Sequence, residues 1–561
     1  MTSSSNVALS ARFFDRRRNV IMALAAIVLL ALVLELPTIN MGRWLDECLN
    51  VASAAQPDMQ TLITTMYGRL EDQHPPLSYM LLFCFIRLFG TGDIAIRIPS
   101  VLCGLLLIPA TYWLGKTVHS TAAGLLAAFF VAVSPFANYM LCQSRPYALA
   151  ALISAVTLTL FCKLVEQRSA TKKTGVTFLC LSLTAAALCY TEYSSCPMIP
   201  ALAIASVVIY LRDRFSGIAP PQASARLARC LAALFLSGLL FIPWVPSVLM
   251  QSRVGAPLME STPLFNLPLA VAYNVLLTTV PLPMLVAIPL GVCAAVAAFI
   301  FLCRPSRRLP SFKSLICSIP SACWVLLCAV ALPACIMELI IPFWFGYYRY
   351  MFPYSPAGFV LSAIVMLRLF GYWKEGSKRN MLLPITLAAM LAVNILYLGW
   401  FDSRPQSGLK TLAQDALAGK YDGCALLIAP DYISQTLDYY LPLNERIAHH
   451  IDLHGFPRWD KPMAPVKMNE IPPMWSSKTV VGETEQHLAD LQKQGWRKLA
   501  FAIDDGTLDR QHSGAACPRG QRVNALRTFI EQNYKMLSAE KKYAGVTEAV
   551  SVSIYQLEPL R

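Results

Sequence analysis

Long apolar stretches separated by short polar connections fill the first 400 residues of this chain. The first stretch, residues 20–36, follows an arginine cluster that ends at Arg18, and no small-residue cleavage signal comes after it. Because the stretch is long enough to cross a bilayer, it predicts an uncleaved first span with a cytoplasmic N-terminus. Further stretches of span length follow at about 95–115, 120–140, 145–164, 175–192, 196–211, 229–249, 284–303, 315–340, 352–370 and 381–400.

One shorter apolar piece, residues 77–89, decides the orientation of the later spans. It has about 13 residues and contains Arg87, which suits a re-entrant or interfacial helix better than a span. If it stays outside, the basic residues of the later connections fall in the cytoplasm, as the positive-inside rule requires. The pattern therefore predicts about eleven spans. The external segments are then 38–94, 143–149, 191–195, 250–283, 346–353 and the tail from about 402.

The tail has a different pattern, with short apolar runs in a polar background. The runs CALLIAPDY, KLAFAIDDG and VSVSIYQLE predict strands, and the segments between them have helical spacing. The sequence therefore predicts a mainly α, polytopic helical membrane domain over residues 1–400. A small extracytoplasmic α/β domain follows over residues 401–561. Cys424 and Cys517 both lie in this tail, either as a disulfide or as two unrelated thiols.

Composition agrees with a membrane protein, since 56% of the residues are hydrophobic, 14% are charged and the mean hydropathy is +0.50. The formal net charge of +14 does not indicate nucleic-acid binding. The basic residues lie between apolar runs, where they orient spans, and are not pooled on one soluble domain. No CxxC or Cys/His zinc spacing occurs among the 17 cysteines.

Two adjacent carboxylates, Asp46 and Glu47, lie just beyond the first span. They can be two solvated acids at a helix start, where acids are favoured. Alternatively, one is a general base that removes a proton from an acceptor hydroxyl. The same external segments carry groups that could hold a departing phosphate, although Arg349 and its neighbouring tyrosines also fit an interfacial belt. These candidate substrate-binding residues are His74, Arg97, Arg145, Tyr147, Arg349 and Tyr350.

An ordered set of motifs gives the chain a family resemblance: WLDECLNVASAA, HPPLSYMLL, RLFG, IAIRIPSVLCGLL, SPFANYMLCQSRPYAL and RYMFP. Over about residues 10–370 the chain resembles the protein mannosyltransferase-like glycosyltransferases of the GT-C fold. That group includes the lipid A aminoarabinose transferases and the Rgt-type lipopolysaccharide glycosyltransferases. The resemblance implies an inverting transfer of a sugar from a polyprenyl-phosphate donor, at the outer face of the cytoplasmic (inner) membrane, to a lipid, glycan or protein.

The resemblance also implies roles for individual residues. It assigns Asp46 as the catalytic base, with Glu47 beside it in the acidic pair. Aminoarabinose transferases have a Glu-Lys pair before their proline, used for a metal and the lipid phosphate, and here those positions read Gln73-His74. This departure argues against aminoarabinose as the sugar. It leaves a divalent metal open, with Glu192 and His74 as candidate ligands.

Two other classes of protein fit parts of the pattern. A transporter or flippase for a lipid-linked sugar would place broken helices and ionisable groups near mid-membrane, whereas here the charges gather at one face. An O-antigen ligase-like or oligosaccharyltransferase-like enzyme would use a different lipid-linked donor. The sequence leaves the sugar and the acceptor open.

Overall fold

A computed structural model describes most of the 561-residue chain. The described residues are 17–68, 74–167, 171–255, 267–302, 312–340, 348–371, 382–402, 407–429, 433–456, 477–505, 518–545 and 549–559. Gln73 and Cys517 lie outside them, so the structure does not test the pairing of Cys424 with Cys517. Helices dominate the described part, and one five-stranded sheet lies near the C-terminus.

The first part of the chain is a bundle of helices. In chain order they begin with α1 Arg17–Glu35, α2 Leu45–Ala54, α3 Met59–Gly68, α4 Leu77–Phe89, α5 Ile98–Val118, α6 Thr121–Val133, α7 Pro135–Leu141, α8 Tyr147–Glu166 and α9 Lys172–Thr191. They continue with α10 Met198–Phe215, α11 Pro220–Phe241, α12 Val245–Gly255, α13 Leu267–Thr279, α14 Met284–Leu302, α15 Phe312–Ser318, α16 Ser321–Ile340, α17 Ser355–Gly371 and α18 Leu382–Asp402. Short 3-10 helices are Thr38–Asn40, Ala95–Arg97, Tyr193–Ser195, Ile242–Trp244 and Tyr348–Tyr354.

Nine helical stretches of the described residues are long and apolar enough to cross a membrane. Two bent helix pairs bring the number to eleven if each pair is one span. The prediction of a polytopic helical membrane protein with a small C-terminal sheet is confirmed. The 13-residue helix α4 is too short for this set, which agrees with the length argument against its crossing.

One side chain, that of Asn394, contacts the bend of both bent helix pairs. Helices α6 and α7 meet at 65°, where Pro135 cannot donate a backbone hydrogen bond. Helices α13 and α14 meet at 114° across Pro281 and Pro283. Asn394 of α18 donates to the carbonyl of Val133 at 2.9 Å and to that of Pro281 at 2.8 Å. One buried amide therefore satisfies a backbone carbonyl exposed at each bend.

The prediction of a loop over residues 250–283 is wrong for its described part, which holds the end of α12 and all of α13. Helix α13 packs tightly on α17, since a Cβ on Gly358 would lie 2.1 Å from the Thr278 carbonyl oxygen. Asn274 of α13 also donates to Glu338 of α16 at 3.2 Å. The apolar run of α13 is too short to register as a span, and only packing reveals it as part of the bundle.

The tail contains α19 Gly408–Leu417, α20 Ser434–Tyr440, α21 Leu443–Ala448, α22 Ser477–Lys493 and α23 Pro518–Asn533. Its strands are β1 Cys424–Ala429, β2 Asp452–Gly455, β3 Lys498–Asp504, β4 Tyr534–Tyr543 and β5 Val550–Pro559, in the order β2-β1-β3-β5-β4. Strand β1 is parallel to β2 and β3, and β5 is antiparallel to β3 and β4. Alternate residues of β1 enter separate hydrophobic clusters on the two faces. The domain boundary near residue 401 stays a prediction.

Candidate active site

A buried ion pair holds the start of α2, which carries both acids. Arg97 binds the Glu47 carboxylate through two nitrogens, with Nε–Oε1 at 2.9 Å and Nη2–Oε2 at 2.6 Å. The same guanidinium donates to the backbone carbonyls of Ile39, Met41 and Gly42, which lead into the helix. Both side chains are almost fully buried. The pair therefore fixes the segment that precedes Asp46, because a bidentate contact restrains orientation as well as distance.

The turn before α8 is bound to α2 through its own backbone. Ser144 N–H donates to Glu47 Oε1 at 2.8 Å, and Asn50 Nδ2 donates to the Ser144 carbonyl at 2.6 Å. This places Arg145 at Asp46, where its Nη1 donates to the Asp46 backbone carbonyl at 3.0 Å. Arg145 Nη2 lies 3.8 Å from Asp46 Oδ2. Glu47 thus positions a cation at the side chain of its neighbour.

The 3-10 helix Tyr348–Tyr354 brings a second cation from late in the chain. Phe352 and Tyr354 are fully buried, and the Tyr354 hydroxyl donates to the Ser194 carbonyl. These anchors place Arg349 Nη1 3.1 Å from Asp46 Oδ2. The Arg349 guanidinium also lies 5.1 Å from the centre of the Trp44 ring, within range of a cation–π contact.

The three charged side chains at the centre of the cluster differ in exposure. The side chains of Asp46 and Arg349 are 19% and 20% exposed, whereas that of Arg145 is 2% exposed. Asp46 therefore presents a carboxylate to the surface between two guanidinium groups. Such an arrangement can accept a proton on the carboxylate and stabilise anionic charge on the arginines.

Two further side chains, those of His74 and Glu192, lie behind Arg145. His74 Nε2 lies 2.5 Å from Arg145 Nη2, and His74 Nδ1 lies 3.0 Å from Glu192 Oε2. A guanidinium only donates, so Nε2 must accept and the ring proton is assigned to Nδ1, which faces the carboxylate. Glu192 Oε1 in turn accepts from the Ser194 backbone at 3.3 Å. The row Glu192–His74–Arg145 therefore orients the Arg145 guanidinium.

This geometry does not fit Glu192 and His74 as ligands of a resident metal. One His74 nitrogen faces a guanidinium, whose positive charge would repel a cation. The other nitrogen and Glu192 Oε2 supply at most two ligands, fewer than the three or four protein ligands of a usual zinc site. Among the described residues, no group of three or more His, Cys, Asp or Glu side chains is placed to hold a metal ion.

The structure brings together most of the residues predicted from the sequence. Asp46, His74, Arg145 and Arg349 form one cluster, with Glu192 behind it. The rings of Tyr147 and Tyr350 pack edge to face beside it, with centres 6.0 Å apart. Arg97 instead binds Glu47 and backbone carbonyls. The roles of all nine candidates stay predictions.

Sequence reasoning missed three residues that position the cluster: Trp44, Asn50 and Ser144. Trp44 stands two positions before Asp46 in the motif WLDE, so its position in the sequence could have indicated a contact near the acid. Asn50 and Ser144 act through contacts across 94 residues of chain, and no local pattern indicates such a pair.

Residues 73–234 match the model of the dolichyl-phosphate-mannose-protein mannosyltransferase family. The resemblance to GT-C glycosyltransferases is thus confirmed. The matched region contains His74, Arg97, Arg145 and Glu192, whereas Asp46 and Arg349 lie outside it. No curated protein sequence matches the chain.

Solved structures with a similar course of the chain include three glycosyltransferases. ArnT from Cupriavidus metallidurans is 12% identical, with 94% of this chain and 97% of that chain covered and a TM-score of 0.49. The oligosaccharyltransferase of Archaeoglobus fulgidus is 13% identical, with coverages of 96% and 73% and a TM-score of 0.47. Arabinofuranosyltransferase AftD from Mycobacteria is 15% identical, with coverages of 97% and 42% and a TM-score of 0.41.

Proposed function

We propose that this protein is an inverting glycosyltransferase that moves a sugar from a polyprenyl-phosphate donor to a lipid, glycan or protein acceptor. The reaction takes place at the outer face of the cytoplasmic membrane. The observation that carries the proposal is the Asp46 carboxylate, which is accessible and lies between Arg349 and Arg145. The family match supports the donor class, because its description names a dolichyl-phosphate-linked sugar.

In this reaction the acceptor oxygen attacks the anomeric carbon of the sugar. Asp46 takes the proton of the acceptor hydroxyl as that bond forms. The bond from the anomeric carbon to the phosphate oxygen breaks, and its electron pair leaves with the polyprenyl phosphate. Arg349 and Arg145 stabilise the negative charge that grows there, and fixed cations are most effective where water is scarce.

The contact between base and cation has a consequence for the order of binding. Arg349 Nη1 and Asp46 Oδ2 are 3.1 Å apart, which leaves no room for a sugar ring between them. Inversion requires the base and the leaving phosphate on opposite faces of the anomeric carbon. The donor phosphate therefore draws Arg349 away from Asp46, and this exchange frees the carboxylate to meet the acceptor hydroxyl.

The remaining candidates support this pair. We assign Glu47 and Arg97 a positioning role instead of catalysis or substrate binding, because their charges neutralise each other in a buried ion pair. His74 and Glu192 orient Arg145. No step of the reaction is assigned to a metal.

The test is transfer of labelled sugar from a synthetic polyprenyl-phosphate donor in proteoliposomes that contain the purified protein. Extracted envelope lipids, glycans and proteins serve as acceptors. We expect a labelled product with the wild type and strongly reduced product with Arg349→Ala. Movement of the labelled donor across the bilayer without transfer would establish the flippase alternative. Transfer only from a preassembled lipid-linked oligosaccharide would establish the ligase-like one.

A further inference from the structure

The C-terminal tail contacts the segment that leads into the Asp46 helix. The Tyr439 ring lies 3.6 Å from the Arg43 guanidinium, and its hydroxyl donates to Asp93 Oδ1 at 3.1 Å. The Tyr440 hydroxyl accepts a hydrogen bond from the Arg43 backbone N–H. We call the contact set the latch: Gly42, Arg43 and Asp93 on the membrane part, and Lys410, Tyr439 and Tyr440 on the tail.

The latch is closely packed and its charges are paired. Arg43 is 1% exposed, and its Nε lies 2.8 Å from Asp93 Oδ1. Lys410 Nζ lies 3.6 Å from Asp93 Oδ2. A Cβ added to Gly42 would lie 2.7 Å from Lys410 Cδ, so glycine permits the close approach of the tail. A fully buried arginine is tolerated only with such partners, which makes this contact specific.

The latch and the Glu47–Arg97 pair hold the same short segment. Arg97 binds the carbonyls of Ile39, Met41 and Gly42, and the tail packs against Gly42 and accepts a hydrogen bond from Arg43. Asp46 follows three residues after Arg43. Any shift of the tail against Arg43 is therefore transmitted to the first turn of α2, where Asp46 must meet both Arg349 and the acceptor.

We propose that the tail is a positioning element for catalysis, and that Tyr439, Tyr440 and Lys410 set the placement of Asp46 through Arg43. This inference rests on the proposed function of Asp46. It predicts an effect on kcat, because a base displaced by about 1 Å can lose up to about 10²-fold in rate. A contact that serves stability alone would change the amount of folded protein and leave the rate per folded molecule intact.

The first test removes the latch with the double variant Tyr439→Leu, Tyr440→Phe. We expect kcat to fall by about tenfold or more, with the donor KM within about twofold because Arg349 and Arg145 are retained. Amides of residues 39–54 should exchange hydrogen faster. The matched control is Tyr421→Phe, which removes another buried hydroxyl contact of the tail and should leave the rate intact. Wild-type kcat together with unchanged exchange in the double variant would overturn the proposal.

The second test restores the contact with a covalent bond. A Cβ on Gly42 would lie 3.2 Å from Lys410 Cβ, close to the 3.5–4.5 Å usual for a disulfide. Gly42→Cys with Lys410→Cys, added to the double variant, should cross-link on oxidation, regain kcat and lose it again on reduction. Each single cysteine variant is the control, because it reveals any disulfide between the introduced cysteine and one of the 17 native cysteines.

The outcomes of the rescue separate the two proposals. A cross-link that does not form, or that forms without restoring kcat, would refute the latch. A wild-type protein without any transfer would refute the proposed glycosyltransferase, and cross-linking and hydrogen exchange would then decide the docking on their own.

Discussion

Replacing Asp46 with asparagine removes the base while keeping the shape of the side chain. Asp46 Oδ2 lies 3.1 Å from Arg349 Nη1 and 3.8 Å from Arg145 Nη2, and an amide oxygen can still accept from either guanidinium. The Glu47–Arg97 pair, which holds the helix start, is untouched. The substitution therefore tests proton transfer with the local fold in place.

The expected loss follows from the role assigned to the carboxylate. Removing a positioned general base costs about 10²–10⁴-fold in rate, or about 3–5 kcal/mol in barrier height. The affinity for the donor should rise, because the Asp46 carboxylate competes with the donor phosphate for the same arginines. A partly exposed ion pair contributes about 0.2–1 kcal/mol, so the donor KM should fall by up to about fivefold.

The assay is the initial rate of sugar transfer in proteoliposomes over a range of donor concentrations. Asp58→Asn is the matched control, since Asp58 is an exposed acid that accepts from the Thr61 backbone at the start of α3. That variant should transfer sugar at the wild-type rate. An Asp46→Asn rate within about twofold of wild type would refute the base assignment and leave Asp46 as a helix-capping acid. A large rise in donor KM would instead place Asp46 in donor binding.

Four further predictions concern the surroundings of the site and the tail. Arg349→Lys should lose about tenfold in rate despite its retained charge, because lysine lacks the planar fork, and Arg349→Ala should lose more; wild-type rates for both would make Arg349 an interfacial anchor. Glu192→Gln should lower kcat without any response to chelator or added divalent metal, whereas rescue by a metal would restore the ligand role of Glu192. Hydrogen bonds from a lysine and a tyrosine lower the pKa of Asp415 to about 2 from its usual 3.8. The ionised Asp415 carboxylate therefore contributes its full stabilisation above about pH 4 and loses it as the pH falls towards 2. The difference in Tm between the wild type and Asp415→Asn should shrink over that interval. A difference in Tm that stays constant would contradict the hydrogen bonds to the Asp415 carboxylate. Gln60→Cys, exposed on α3, should react with an impermeant thiol reagent added from outside the cell, and labelling only after permeabilisation would overturn the predicted topology.

The class of this protein is predictable from its sequence because the strongest signals of that class are local. Apolar runs of span length indicate helices that cross a bilayer. The three predicted strands are buried strands of the observed sheet. The positive-inside rule, applied with residues 77–89 outside, predicted one common face for four residues, and the structure brings their segments together. These residues are Asp46, Arg145, Glu192 and Arg349. Strands β2 and β4 were missed because β2 has four half-buried residues and β4 is a charged edge strand.

The partner of each charge in the site is visible only once the chain is folded. Asp46 and Glu47 are adjacent in the sequence, yet one helical step turns Asp46 towards Arg349 and buries Glu47 against Arg97. The latch joins Arg43 to Tyr440 across 397 residues. Local patterning reports which side chains are buried, whereas the partner of a buried charge depends on how distant segments pack, and no periodicity in the chain encodes that.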